Sequence, residues 1–183
     1  MKKSIYKFIF FRLMGWKFEG EFDKKIEKCI LIVIPHTSWV DFFIGLFARG
    51  IIGVEMNWLG KKELFGLPLG WYFRYMGGAP LDRTGGLNMV DSIAKVFEMR
   101  KIFRLGLSPE GTRKKVTELK TGFYYIAEKA KVPIIPVAFN YGKKVINFGS
   151  PFYTTGNIDA DLKILLVHFE GVVGKIPENS YQV

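Results

Sequence analysis

Short, mostly apolar runs alternate with longer amphipathic segments along most of this 183-residue chain. The runs at residues 29–34, 102–107 and 134–139 have the length and content of buried strands, and several segments between them have helical periodicity. Strands that alternate with helices pack as a sheet covered by helices. We therefore predict an α/β fold, a single domain over residues 1–183 with a mixed, largely parallel central sheet flanked by helices.

Turn signals and periodicity predict the other elements. Further strands are predicted at residues 54–59, 79–81 and 145–148, and a basic turn at residues 60–62. Helices are predicted at residues 38–49, 67–75, 87–101 and 121–131, and a last helix, capped by Asn157, runs to about residue 171. Loops at the carboxyl ends of strands carry the chemistry in such sheets, so candidate site residues are expected there.

The chain carries a formal net charge of +10 and is 16% aromatic. The charge favours polyanionic partners, and so many rings indicate an exposed apolar surface. No apolar run reaches the roughly twenty residues of a membrane-spanning helix. With Cys29 as its single cysteine, the chain has no disulfide framework, which suits a reducing compartment.

Residues 1–20 mix apolar side chains with Lys2, Lys3, Lys7 and Arg12. Long basic side chains can reach the headgroups from a segment that lies at a membrane interface, which is one interpretation of this segment. The other interpretation is a helix packed on the domain. The sequence leaves both open.

His36 follows the first of the buried strands, and Asp41 lies in the first turn of the next predicted helix. A histidine that acts as a base near neutral pH needs an acceptor, usually a carboxylate, on its second ring nitrogen. A loop that bends back into a helix brings Asp41 to the ring. Alternatively, Ser38 and Asp41 form a capping box and His36 is an ordinary hydrogen-bonded histidine.

A second polar loop, with Glu110, Gly111, Thr112 and Arg113, follows the strand at residues 102–107. Gly111 lets the backbone approach a ligand closely, and Glu110 accepts hydrogen bonds from hydroxyls. Arg113 is suited to grip a phosphate with its planar fork. The two lysines that follow also allow a solvated turn with no function.

Arg83 follows the strand at residues 79–81 and is a further candidate phosphate ligand, although Asp82 and Arg83 also suit an ordinary turn. The chain has no G-x-S-x-G motif for a serine nucleophile and no glycine-rich cradle for nucleotide phosphates. The second histidine, His168, lies in the last predicted helix among apolar residues. We expect it to be a packing or surface residue, and we expect no zinc site.

Four blocks, taken together, resemble the lysophosphatidic acid and glycerol-3-phosphate acyltransferase family. They are His-x4-Asp at residues 36–41, a Gly-rich block ending in Arg at 77–83, Pro-Glu-Gly-Thr-Arg at 109–113 and Val-Pro-Ile-Ile-Pro-Val at 132–137. The resemblance spans roughly residues 30–140, and Lys120-Thr121-Gly122 is similar to the family's Lys-x-Gly. The chain departs from the family's pattern at Pro35, Pro80 and Ser108, which stand where Asn, an aromatic residue and Phe are common.

The resemblance implies a glycerol-phosphate acyltransferase-like fold and direct transfer of a fatty acyl group from acyl-CoA or acyl carrier protein to a lysophosphatidate-type lipid in phospholipid biosynthesis. His36 is then the general base, and Asp41 orients it. No metal and no cofactor beyond the thioester co-substrate are implied. The implied substrate-binding residues are Arg83, Glu110, Gly111, Thr112 and Arg113, with Lys61 and Lys120 as the next candidates.

The implied partners are the two substrates and an anionic membrane surface, contacted peripherally at the cytoplasmic face, and not nucleic acid. Another lyso-lipid acceptor, such as a lyso-ornithine lipid, fits the same motifs. A non-catalytic binder of anionic lipid or nucleic acid would use the basic and aromatic patch of Trp58, Lys61, Lys62 and Phe65. Because a simple binder has no use for the His-x4-Asp block, the enzyme is the favoured interpretation.

Overall fold

The computed structural model describes residues 2–66, 68–81 and 89–183. The strands are β1 (Lys17–Glu19), β2 (Lys28–Ile34), β3 (Trp58–Lys61), β4 (Gly78–Leu81), β5 (Phe103–Leu107), β6 (Ile134–Asn140) and β7 (Val145–Phe148). The helices are α1 (Lys2–Lys7), α2 (Val40–Ile52), α3 (Gly70–Tyr75), α4 (Met89–Met99), α5 (Gly122–Ala130) and α6 (Ile158–Leu166). A π-helical segment (Phe8–Leu13) extends α1, and 3-10 turns lie at Lys62–Phe65, Val167–Phe169 and Pro177–Asn179.

Five strands form the central sheet in the order β1-β7-β6-β2-β5. Strand β2 is parallel to both β5 and β6, β1 is parallel to β7, and the β6–β7 pair is antiparallel. The sheet is therefore mixed and largely parallel, which confirms the predicted fold class. Because parallel strands end at the same edge, the loops after β2, β5 and β6 meet there.

Strand β2 is buried on both faces, which explains its continuous apolar sequence. Ile30, Ile32 and Ile34 pack into one core cluster, and Cys29 and Leu31 pack into the other. Full burial of an aliphatic side chain of this size contributes about 1.5–3 kcal/mol. Cys29 is thus a core residue, as predicted.

Helices cover both faces of the sheet. On one face, α1 packs on α2, where a Cβ at Gly50 would lie 2.4 Å from the ring of Tyr6. Phe10, in the π-helical segment, is fully buried on this face. The other face carries α4, α5 and α6. Asn157 caps α6 as predicted, since its side chain accepts a hydrogen bond of 3.2 Å from the backbone nitrogen of Ala160.

Strands β3 and β4 form a two-stranded parallel sheet beside β5. Asn57 joins it to the central sheet. Its backbone nitrogen donates to the carbonyl of Arg104 (2.7 Å), and its carbonyl accepts from the nitrogen of Gly106 (2.8 Å). The buried guanidinium of Arg104 donates to three loop carbonyls, which fixes this junction.

Several boundaries differ from the prediction. The strand predicted at residues 54–59 lies at Trp58–Lys61, because α2 continues to Ile52 and ends at Gly53, whose φ is 77°. Residues 60 and 61, predicted as a turn, therefore belong to β3. The helix predicted from residue 67 begins at Gly70, and the last helix ends at Leu166 before a 3-10 turn. The helix predicted at residues 87–101 is observed at Met89–Met99, and residues 87 and 88 lie outside the described residues.

The N-terminal segment holds one strand that the sequence did not predict. Lys17–Glu19 forms edge strand β1 of the central sheet, and it is too short to show an alternating pattern. The packed-helix interpretation holds for Phe10, which is buried, whereas Phe8 and Leu13 in the same segment stay exposed. In the described parts of the chain, no helix has both the length and the apolar character needed to cross a bilayer.

Candidate active site

Polar side chains from three loops meet at the carboxyl edge of the central sheet. His36 lies two residues after β2, and Asp41 is the second residue of α2. Glu110 lies three residues after β5, and Tyr141 directly follows β6. The parallel arrangement of these strands therefore brings together loops that are up to a hundred residues apart in sequence.

The imidazole of His36 is paired with Asp41. Nδ1 of His36 lies 3.0 Å from Oδ2 of Asp41, and the same oxygen accepts a hydrogen bond of 2.9 Å from the backbone nitrogen of Ser38. Asp41 thus contacts both the backbone at the start of its own helix and the imidazole of His36, and the catalytic role of the pair stays a prediction. With Nδ1 engaged, Nε2 is the ring nitrogen left to accept a proton.

Asp41 is 3% exposed. Burial alone would raise the pKa of its carboxyl, but hydrogen bonds from His36, Tyr141 and Ser38 outweigh burial and lower the pKa of Asp41. Asp41 is therefore ionised near neutral pH. An ionised carboxylate is the form that holds the Nδ1–H of a neutral imidazole.

Sequence reasoning missed Tyr141. Its hydroxyl donates to Oδ1 of Asp41 over 2.5 Å. Burial, together with this hydrogen bond to a carboxylate, raises the pKa of Tyr141, so the hydroxyl stays protonated and acts as the donor. The signal in the sequence was its position two residues after the strand predicted at residues 134–139, since a lone tyrosine carries no motif of its own.

Glu110 is hydrogen-bonded to the backbone of the loop that carries His36. Its Oε2 accepts hydrogen bonds from the backbone nitrogen of His36 (2.6 Å) and from the hydroxyl of Ser108 (3.1 Å). Glu110 is 2% exposed, and burial raises the pKa of its carboxyl, with the nearby Asp41 adding to the rise. Among the described residues, Oε1 has no hydrogen-bond partner. The contacts of Glu110 are thus with the protein, and its predicted contact with substrate stays a prediction.

Two cationic side chains of the same loop lie near the site. Gly111 has a φ of 64°, and a Cβ there would lie 2.7 Å from Nζ of Lys120, so the lysine side chain packs across the bare glycine. The backbone nitrogen of Lys120 donates to the carbonyl of Pro109 (2.8 Å). Arg113 is exposed and lines the cavity beside His36.

Three predicted site residues remain, namely Thr112, Lys61 and Arg83. The hydroxyl of Thr112 accepts a hydrogen bond of 3.3 Å from the backbone nitrogen of Lys114, a contact that shapes the loop. Lys61 is the last residue of β3. Arg83 lies outside the described residues, and its role stays a prediction.

An apolar cavity of about 560 Å³ opens beside His36, between α2 and the central sheet. The sheet side of its wall includes Leu31, Val33, Val137 and Phe139. Small residues on α2, Gly45 and Ala48, leave this space open. Among the described residues, the nearest atom that a Cβ at Gly45 would meet is a carbon of the Phe139 ring, 4.0 Å away. The volume falls in the range of small-molecule sites.

Three exposed rings, Trp39, Phe42 and Phe43, also line the cavity. At the other end of α2, Arg49 lines it as well and donates to the carbonyl of Met76 (2.7 Å). Eight residues separate Arg49 from Asp41, which is about 12 Å along a helix axis. The cavity therefore extends along α2, from the polar pair at its first turn to its last turn.

His168 does not join this group. Its Nε2 lies 3.1 Å from the backbone carbonyl of Asn147, and its ring packs edge-on against Phe169. This agrees with the prediction of a packing or surface histidine.

Residues 16–140 match the family model described as Acyltransferase, and this range includes the His36–Asp41 pair and Arg113. The chloroplastic 1-acyl-sn-glycerol-3-phosphate acyltransferase BAT2 of Brassica napus is 31% identical over 123 residues, or 64% of this chain and 35% of the relative. The 1-acyl-sn-glycerol-3-phosphate acyltransferase of Bacillus subtilis is 28% identical over 140 residues, or 69% of this chain and 68% of the relative. The matches thus span from about a third to about two thirds of these relatives.

The fold resembles a known crystal structure, that of the 1-acyl-sn-glycerophosphate acyltransferase of Thermotoga maritima. The TM-score is 0.57 at 19% identity, over 91% of this chain and 76% of that chain. At this identity the likeness concerns the fold, and it agrees with a mixed sheet covered by helices on both faces.

Proposed function

Since the chain belongs to the acyltransferase family, whose members are enzymes, we propose that it transfers a fatty acyl group from a thioester donor to the hydroxyl of a lysophosphatidate-type lipid. Several relatives carry the name 1-acyl-sn-glycerol-3-phosphate acyltransferase, which supports this acceptor and a role in phospholipid synthesis. The observation that carries the proposal is the pairing of His36 with Asp41 at one end of an apolar cavity.

The proposed chemistry is general-base catalysis. Nε2 of His36 takes the proton of the acceptor hydroxyl while its oxygen attacks the thioester carbonyl carbon. The new C–O bond forms, the C–S bond breaks, and the leaving thiolate takes the proton back from the imidazolium. Asp41 holds Nδ1–H and stabilises the imidazolium. A positioned base contributes typically about 10²–10⁴-fold, and holding both reactants together supplies much of the rest.

The acceptor phosphate is proposed to bind at the loop after β5. Arg113 offers a planar fork for phosphate oxygens, and Lys120 adds a point charge above Gly111. Arg83 remains a further candidate ligand. A phosphate bound here would hold the acceptor with its hydroxyl near His36.

The apolar cavity is proposed to take the fatty acyl chain of the donor. Its walls are mostly hydrocarbon, and its length along α2 suits an extended chain. The small residues Gly45 and Ala48 keep this cavity open. The thioester carbonyl would then lie at the end where His36 and Asp41 are found.

We further propose that the enzyme works on the cytoplasmic face of a membrane, as a peripheral protein. Trp39, Phe42 and Phe43 surround the cavity and are exposed, which suits entry of a lipid directly from a bilayer. The net charge of +10 favours anionic headgroups. The donor is acyl-CoA or acyl carrier protein, both of which are anionic.

The direct test is to incubate purified protein with a donor that carries a labelled acyl group, either acyl-CoA or acylated carrier protein, and with a panel of acceptors. The panel contains lysophosphatidate, glycerol 3-phosphate and a lyso-ornithine lipid, and Asp41→Asn serves as the control with reduced activity. We expect label in phosphatidate with wild type and at least tenfold less with Asp41→Asn. If the label appears in a different lipid, the acceptor is not lysophosphatidate and must be reassigned. Vesicle binding without acyl transfer to any acceptor would identify a non-catalytic lipid binder.

A further inference from the structure

We propose that Tyr141 is a positioning residue of the active site, whose hydroxyl fixes the carboxylate of Asp41 so that Asp41 can orient His36. The inference rests on the proposed acyl transfer and adds to it a residue outside the matched motifs. The hydroxyl of Tyr141 donates to Oδ1 of Asp41 over 2.5 Å, whereas the imidazole of His36 and the backbone nitrogen of Ser38 both contact Oδ2. Among the described residues, these three groups are the hydrogen-bond partners of the Asp41 carboxylate.

Tyr141 is itself held in place by three parts of the fold. It directly follows β6, which pairs with β2 in the centre of the sheet. Its ring packs edge-on against Trp16, with centroids 4.8 Å apart. Its backbone nitrogen donates to the carbonyl of Val173, from the C-terminal segment (2.8 Å). The hydroxyl therefore meets Asp41 at a position fixed before substrate binds.

The hydrogen bond from Tyr141 to Asp41 affects the protonation of the His36–Asp41 pair. Asp41 is buried, so without Tyr141 its Oδ1 would lose its donor while the carboxylate stays largely out of contact with solvent. A carboxylate left in this state binds a proton more readily, and a protonated Asp41 no longer holds Nδ1–H of the imidazole as well. The hydroxyl of Tyr141 thus keeps Asp41 charged and keeps Nε2 of His36 free to act as the base.

The chain contains a matched pair on the other side of the sheet. There, the hydroxyl of Tyr124 donates to Oδ2 of the buried Asp161 over 2.8 Å. Among the described residues, the other partners of the Asp161 carboxylate are the backbone nitrogen and hydroxyl of Thr155. Tyr124 therefore makes the same kind of bond with no imidazole attached, and Tyr124→Phe is the structural control.

The experiment compares Tyr141→Phe with Tyr124→Phe, since both changes keep the ring and remove one hydroxyl. For Tyr141→Phe we expect kcat near neutral pH to fall by about tenfold, with the KM of both substrates within twofold of wild type. For Tyr124→Phe we expect thermal stability to fall and kcat to stay at the wild-type value. A loss of kcat in both variants, or in neither, would overturn the proposal.

The pH dependence of kcat gives a second readout that loss of packing would not change. The titratable groups that face Asp41 in the described residues are His36 before α2, Glu110 after β5 and Tyr141 after β6. Because the Tyr141 hydrogen bond helps to lower the pKa of Asp41, its removal should raise the pKa of that carboxyl.

The acid limb of the Tyr141→Phe profile should therefore move to higher pH, and part of the lost rate should return as the pH is raised. An unmoved acid limb would show that Tyr141 acts through packing alone, and it would overturn the positioning role. Absence of acyl transfer by wild type would instead overturn the proposed function, so the two failures are distinguishable.

Discussion

The carboxylate of Glu110 accepts a hydrogen bond of 2.6 Å from the backbone nitrogen of His36. The polar loop after β5 therefore holds the loop after β2, and the two motif blocks form one unit at the edge of the sheet. Glu110 is buried, and its second oxygen has no partner among the described residues. A carboxyl in this setting is costly to ionise, so its titration should be visible in the stability of the protein.

Glu110→Gln should make the stability of the protein less dependent on pH. Burial raises the pKa of Glu110 above its ordinary value of 4.5. A carboxyl with a raised pKa contributes stability that is fully present below pH 4.5 and is lost as the pH rises through the raised value. The free energy of unfolding of wild type, minus that of the variant, should therefore decrease from pH 4.5 upward.

Urea unfolding at a series of pH values measures this difference. The exposed Glu118 provides the control, because Glu118→Gln removes a carboxyl that solvent reaches. A difference between wild type and Glu110→Gln that grows with pH would contradict a raised pKa.

His36→Ala should reduce kcat by about 10²–10⁴-fold, the usual contribution of a positioned base, and leave both KM values nearly unchanged. The matched control is the same substitution at the chain's other histidine, His168→Ala. His168 contacts the carbonyl of Asn147 and not Asp41. Steady-state kinetics with labelled donor measures both variants, and circular dichroism checks their folding. A folded His36→Ala variant with kcat within a few-fold of wild type would refute the general-base role.

Arg113→Lys should raise the KM of the acceptor although the charge is kept. A guanidinium makes two charge-assisted hydrogen bonds to phosphate, and an ammonium offers only a point charge. Lys120→Ala should act in the same direction, because the ammonium of Lys120 lies over Gly111. The KM of the donor should change little in either variant.

The control for both is Lys115→Ala, which removes one exposed charge from the same loop. Steady-state kinetics with each substrate varied in turn separates the two KM values. If Arg113→Lys and Lys120→Ala keep the acceptor KM of wild type, the phosphate site lies elsewhere, with Arg83 as the next residue to change.

The contact between His36 and Asp41 and the central strand were predictable because their signals are local in sequence. The continuous apolar sequence of β2 indicates a strand that is buried on both faces. His36 and Asp41 are only five positions apart. Tyr141 was not predictable in this way, since it lies a hundred residues from Asp41 and meets it only through the pairing of β6 with β2. Strand β1 was missed for a similar reason, because its three residues gain their structure from β7.

Gly45→Leu should shift the preference of the enzyme toward shorter acyl donors. Gly45 lies one helical turn beyond Asp41, about 6 Å along the axis, so a larger side chain there would fill the channel midway. Gly45→Ala is a graded control. It adds one methyl without a close contact and should stabilise α2 by roughly 0.5–1 kcal/mol. The kcat/KM for a series of donor lengths measures the preference, and an unchanged series in Gly45→Leu would exclude this cavity as the acyl site.

The exposed side of the N-terminal helix should contribute to membrane binding. Phe8 and Leu13 are 58% and 68% exposed, and they lie among the exposed Lys3, Lys7 and Arg12. Apolar side chains enter the acyl region while the basic ones contact anionic headgroups. Since Phe10 in the same segment belongs to the core, deleting the segment would damage the fold, and substitutions at its surface are the better test.

The double variant Phe8→Ser and Leu13→Ser should therefore bind anionic vesicles at least tenfold more weakly than wild type, because each large apolar side chain contributes about 1.5–3 kcal/mol when fully buried. Its activity on a detergent-dispersed acceptor should stay unchanged. The matched control is Met99→Ser on α4, which removes a side chain that is 86% exposed on the opposite face of the sheet. Added salt should weaken the binding of wild type, since the basic residues act through screened charges. Vesicle sedimentation measures all three proteins, and equal binding by the double variant and wild type would assign membrane contact to the rings around the cavity instead.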